Sequence, residues 1–88
     1  MPTSLTNIPE PTNVRFDEAS LWVELSDGRT LGLPLAWYPR LNGASEKDLL
    51  DYFLSPSGVH WETLDEDLSV EGMLLGLKDQ TFLPADAA

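Results

Sequence analysis

The chain has 88 residues, 15 acidic against five basic, with one histidine and no cysteine, giving a net charge of −10. It is long enough for one small domain with a thin core, and without cysteine it has no disulfide, thiolate nucleophile or thiolate zinc site. The acidity excludes direct nucleic-acid binding, because Arg15, Arg29, Arg40, Lys47 and Lys78 are too scattered to displace counterions along a phosphate backbone, and it disfavours anionic membranes.

Residues 1–12 carry Pro2, Pro9 and Pro11 and no apolar period, which predicts an extended N-terminal segment. A single domain is expected over residues 13–82, followed by a flexible tail at 83–88. From Asn13 to Leu35 the apolar residues alternate: Val14 and Phe16, then Leu21, Val23 and Leu25, then Leu31, Leu33 and Leu35. This pattern predicts three half-buried strands. A loop at Asp17–Ser20 sets Phe16 opposite Leu21 and Val14 opposite Val23. For the second turn, a two-residue Asp27-Gly28 hairpin would mix apolar and polar faces. A three-residue loop, Ser26-Asp27-Gly28, instead pairs Val23 with Leu31 and Leu21 with Leu33, with Gly28 in the left-handed conformation. Pro34 has no N–H for a ladder, so the third strand ends or lies at an edge there.

A compact turn is expected over Trp37–Leu41, with both Trp37 and Trp61 in the core. Ser45 has the chemistry of an N-cap, with Glu46 and Asp48 in the first turn. The expected helix runs to Leu54, with Leu49–Phe53 and Leu50–Leu54 as apolar pairs, and Ser55-Pro56-Ser57-Gly58 ends it. Val59 and Trp61 alternate with His60 and Glu62 as a short fourth strand. Leu64–Asp67 reads as an acidic turn, capped by Asp67 or Ser69, before a second helix from Ser69 to Leu77. That helix would turn Val70, Met73, Leu74 and Leu77 inward. The expected architecture is therefore α+β and two-layered: a three-stranded antiparallel meander, a helix, a short fourth strand and a C-terminal helix.

Three segments carry a resemblance: Leu35-Ala36-Trp37-Tyr38-Pro39-Arg40-Leu41, Val59-His60-Trp61, and Leu64-Asp65-Glu66-Asp67-Leu68-Ser69-Val70-Glu71-Gly72-Met73-Leu74. Together with the Asp27-Gly28 turn, they resemble the bacterial domain-of-unknown-function family 2442 over roughly Asn13 to Gly76. The resemblance implies a small acidic α+β domain. Some members look like the antitoxin half of a toxin–antitoxin pair.

His60, Glu62, Asp65, Glu66, Asp67 and Glu71 crowd one segment. A calcium loop starting at Asp65 fails, because Val70 stands where glycine is needed and Gly76 where glutamate is needed. No metal and no cofactor are therefore expected. Arg40 is expected to reach Asp65 or Asp67 as a structural joint, since a guanidinium matches a carboxylate. No Gly-x-Ser-x-Gly elbow is present, and Ser57 near His60 is a sequence neighbour without an oriented base. Trp22, on the face opposite Leu21 and Val23, is an anchor for a partner if nothing covers it. The candidate binding residues are Trp22, Glu24, Glu62, Asp65 and Glu66. The expectation is a cytoplasmic, non-enzymatic interaction module for a protein with a basic surface, antitoxin-like in role. The alternative is an acidic nucleic-acid mimic.

Overall fold

The computed structural model describes residues 8–76. Seven of the first twelve residues, the tail at 83–88 and the expected helical position Leu77 lie outside the described residues.

The first sheet is an antiparallel meander of β1 (Pro11–Phe16), β2 (Ser20–Leu25) and β3 (Thr30–Pro34). Its register follows the apolar alternation. Phe16 faces Leu21 and Val14 faces Val23, then Leu21 faces Leu33 and Val23 faces Leu31. The second turn is the three-residue loop. The Leu25 N–H donates to the Arg29 carbonyl at 2.8 Å, and Gly28 sits at φ +96°. β3 ends at Pro34 on the edge of the sheet. The first strand begins earlier than expected: Pro11 is buried opposite Leu25, with an irregular step in register before Asn13.

A 3-10 turn, Leu35–Trp37, follows. Leu35, Tyr38 and Leu41 are buried, while Trp37 is half-buried against the core. Helix α1 is only one turn, Glu46–Leu49, with the Ser45 hydroxyl accepting the Asp48 N–H. The expected helix to Leu54 does not form. Phe53–Ser55 is instead strand β4, paired with β5 (Gly58–Trp61), and Ser55-Pro56-Ser57-Gly58 is their hairpin rather than a helix stop. Two causes act together. Pro56 drives Ser55 into extended backbone, and a helix this short gains too little to resist a strand that satisfies its backbone groups by pairing. Leu50 and Phe53 are consequently exposed, not paired on a helix face.

The acidic turn is shifted as well. It covers residues 62–65, with Asp65 at φ 54°, and Glu66–Ser69 is strand β6 on the other side of β5. Helix α2, Val70–Leu74, is capped by Ser69, whose hydroxyl accepts the Gly72 N–H at 2.9 Å. Val70 and Met73 point inward, but Leu74 is exposed. Gly76, at φ +75°, ends the helix in the left-handed conformation before Leu77 is reached.

The result is a mixed α+β domain in which strands dominate, as two three-stranded antiparallel sheets with two short helices. The meander–helix–strand–helix order expected from the sequence lacks β4 and β6. Inner residues of both sheets, including Leu21, Val23, Val59, Trp61 and Leu68, join Val70 and Met73 of α2 in one buried cluster. β4 lies beside β1, and α2 beside β3.

Two glycines test this arrangement. Gly28→Ala should cost about 1–2 kcal/mol, from forcing a side chain into the left-handed region with nothing nearby to clash. Gly58→Ala should cost more, because its Cβ would overlap the Leu68 backbone carbonyl. Chemical-denaturation midpoints that fall in the opposite order would contradict the β5–β6 packing.

Candidate functional site

Each sheet buries one face and leaves the other open, and the polar chemistry collects on these outer faces. On the first sheet, the register aligns Arg15, Trp22 and Gly32 across the three strands. Gly32 has no side chain, and the Trp22 ring fills that space; any Cβ there would overlap the ring. The Arg15 guanidinium lies 5.9 Å from the ring centroid, in reach of a cation–π interaction. The Trp22 indole N–H donates to Asp17 at 2.9 Å. Asp17 also accepts the N–H groups of Ala19 and Ser20, at 3.0 and 2.8 Å. Foremost the indole, and then these backbone donors, hold the Asp17 carboxyl below its usual 3.8. Trp22 is half-buried. Glu24 accepts from the Arg15 guanidinium at 3.2 Å and from the Asn13 amide at 3.4 Å.

The second sheet carries a different row. Phe53, His60 and Asp67 are aligned across β4, β5 and β6. His60 Nδ1 lies 2.7 Å from the Asp67 carboxylate, and His60 Nε2 lies 2.7 Å from the Ser55 hydroxyl. The Phe53 ring stacks on the imidazole with centroids 4.9 Å apart. This row was missed in the sequence because residues 64–67 read as a turn. Extending the alternation of Val59–Trp61 to a paired strand at Glu66–Ser69 is the signal that would have found it.

The remaining candidates lie near the turn at 62–65. Arg40 Nη1 donates to the Asp65 backbone carbonyl and lies 3.4 Å from its carboxylate. The joint is therefore with Asp65, mostly through its backbone, and the Asp65 side chain is 91 % exposed. Asp67 is not part of it, because strand β6 turns Asp67 towards His60. Glu62 is exposed. Glu66, expected at a binding surface, is only 4 % exposed, since the β6 alternation places it on the inner face with Leu68. Among the described residues, no hydrogen bond or ion pair joins Trp22 or Glu24 to Glu62 or Asp65. No group of three or more His, Cys, Asp or Glu suited to a metal ion occurs among the described residues. No described helix is long and apolar enough to cross a membrane.

Two small antiparallel sheets sharing one core, with the chemistry on their outer faces, define a compact strand-dominated α+β domain. Residues 11–79 match the model of the family described as "Protein of unknown function (DUF2442)", and the chain belongs to that family. Among solved structures it is similar to a protein of unknown function from Rhodospirillum rubrum. The TM-score is 0.72 and the identity 34 %, with 85 % of this chain and 95 % of that chain covered. It is also similar to an uncharacterised protein from Chromobacterium violaceum, with a TM-score of 0.72, 26 % identity, and coverage of 89 % and 75 %. No curated protein matches the sequence.

Two measurements probe these contacts. Above the usual carboxylate pKa, ionised Asp17 stabilises the fold, and that contribution is lost as pH falls through its lowered folded value. The stability gap between the native chain and Asp17→Asn, read from urea midpoints, should therefore narrow below pH 3.8. In double-mutant cycles, Arg40→Ala with Asp65→Ala should couple by less than about 1 kcal/mol, as expected of an exposed pair. Arg40→Ala with Asp67→Ala should couple by less than about 0.3 kcal/mol.

Proposed function

We propose that this domain is a non-enzymatic, cytoplasmic interaction module that binds a small protein with a basic surface, in the manner of an antitoxin covering its partner. The supporting observation is Trp22. A large, half-buried aromatic ring on the outer face of a sheet is the kind of anchor that concentrates binding energy, and it lies beside Glu24 in a chain with net charge −10. The charge steers a basic partner towards the surface, and Trp22 supplies contact area. Exposed Glu62 and Asp65 add to the same acidic field. The alternative, an acidic mimic of nucleic acid, needs a row of free carboxylates along one face. The first sheet supports that reading less well, because Glu24 is held by Arg15 and Asp27 by Arg29, at 3.2 and 2.8 Å.

Affinity capture with the native chain and with Trp22→Ala, followed by mass spectrometry, tests the proposal. The expected result is a basic protein retained by the native chain and lost from the variant. It should elute as salt approaches about 1 M, where screening acts over about 3 Å. Equal retention by both baits would overturn the role of Trp22. A captured protein that releases the chain when given DNA or RNA would favour the mimic.

A further inference from the structure

The outer row of the second sheet brings together three side chains whose combination has a chemical meaning. A serine hydroxyl bonds one imidazole nitrogen, and a carboxylate bonds the other, each at 2.7 Å. An ionised carboxylate can only accept a hydrogen bond. Asp67 therefore selects the tautomer of neutral His60 with its proton on Nδ1. That leaves the Nε2 lone pair facing the Ser55 hydroxyl. Nucleophile, base and orienting group within hydrogen-bond reach are the signature of an activated serine.

The three residues are positioned by separate strands. Ser55 ends β4, held extended by Pro56; His60 lies in β5, and Asp67 in β6. Ladder pairing of Phe53 with His60 and of His60 with Asp67 fixes the row. Ser55 is half-buried, the His60 side chain is 23 % exposed and Asp67 75 % exposed, so the row lies at the surface rather than in the core. Phe53, 50 % exposed, lies flat against the imidazole and offers a stacking surface next to Ser55. Ser57, the hydroxyl nearer to His60 in the sequence, lies 3.4 Å from the Ser55 oxygen, and its own bond is to Ser55.

We propose that Ser55 is a nucleophilic serine, primed by His60 and oriented through Asp67, that accepts an acyl group from an activated ester. The Ser55 oxygen forms a bond to the acyl carbon as the bond from that carbon to the leaving oxygen breaks. The hydroxyl proton passes to His60 Nε2 and from there to the departing alkoxide or phenoxide. The products are acyl-Ser55 and the free alcohol or phenol. An oxyanion donor adds about 10²–10³ in rate where one is present. The three side chains alone suit an ester with a good leaving group, preferably an aryl ester that stacks on Phe53. This reading is independent of the partner-binding face on the first sheet, and it describes a covalent modification rather than turnover.

The test uses the purified full chain and p-nitrophenyl acetate, following nitrophenolate release and mapping the acetyl group by peptide mass spectrometry. The expected result is acetyl on Ser55, absent in Ser55→Ala and retained in Ser57→Ala. His60→Gln should slow acylation by about 10²-fold or more. Asp67→Asn should slow it by at least about tenfold through loss of the tautomer preference, and Asp67→Glu should restore most of the rate. Denaturation midpoints establish that each variant is folded. Mapping on the native chain is decisive whatever the variants do. No acetyl on Ser55, or acetyl on Ser57, overturns the proposal. So does acylation of Ser55 at the native rate in His60→Gln.

Discussion

Trp61 is where the two sheets are held together. Its ring is fully buried and meets Phe16 of the first sheet edge-on, with centroids 6.4 Å apart. It also meets Tyr52, just ahead of β4, at 6.1 Å. Its indole N–H donates to the Leu49 carbonyl at 2.9 Å, satisfying the end of α1 where a helix carbonyl would otherwise go unpaired. Truncating a buried ring of this size generally costs about 3–5 kcal/mol, a large part of what a small domain has. Tyr52 extends the connection, its hydroxyl reaching the Val14 carbonyl at 3.5 Å.

With the apolar side of each sheet committed to this shared cluster, the polar side chains of the strands other than the buried Glu66 stand on the outer faces. The two faces solve this differently. The first balances its charges internally, with Arg15 set between the Trp22 ring and Glu24. The second lines up a hydroxyl, an imidazole and a carboxylate under an exposed phenyl ring. The first arrangement holds the Trp22 ring between Arg15, Asp17 and Gly32, and the second holds the Ser55 hydroxyl against His60. Both follow from strand register, because pairing decides which side chains stand next to one another.

The parts legible in the sequence were those with enough residues to show a period. Three strands with repeated apolar alternation carry their own register, and that register distinguishes the two loop lengths possible around Gly28. β4 has only three residues, Phe53–Ser55, and the apolar spacing of Leu49, Leu50, Phe53 and Leu54 fits a helix equally well. β6 was hidden by its charges: Glu-Asp-Leu-Ser looks solvated, yet it alternates buried and exposed with Glu66 inside. Losing β6 displaced the site residues too. Arg40 with Asp65 survived, because the turn that presents Asp65 was nearly in place. Asp67 stands as an alternative partner of Arg40 in the sequence because, without a strand, nothing there places it beside His60.

Both sheets are meanders in which each strand pairs with its sequence neighbour. Every ladder therefore closes a short loop, and loop-closure entropy stays small within each sheet. The contacts of long sequence separation are concentrated at the seam, where Phe16 meets Trp61 and Tyr52 reaches Val14. Contact order, and with it the entropic barrier to folding, is thus unevenly distributed along the chain. Hairpins form locally at little entropic cost, and the docking of one meander onto the other carries the remainder.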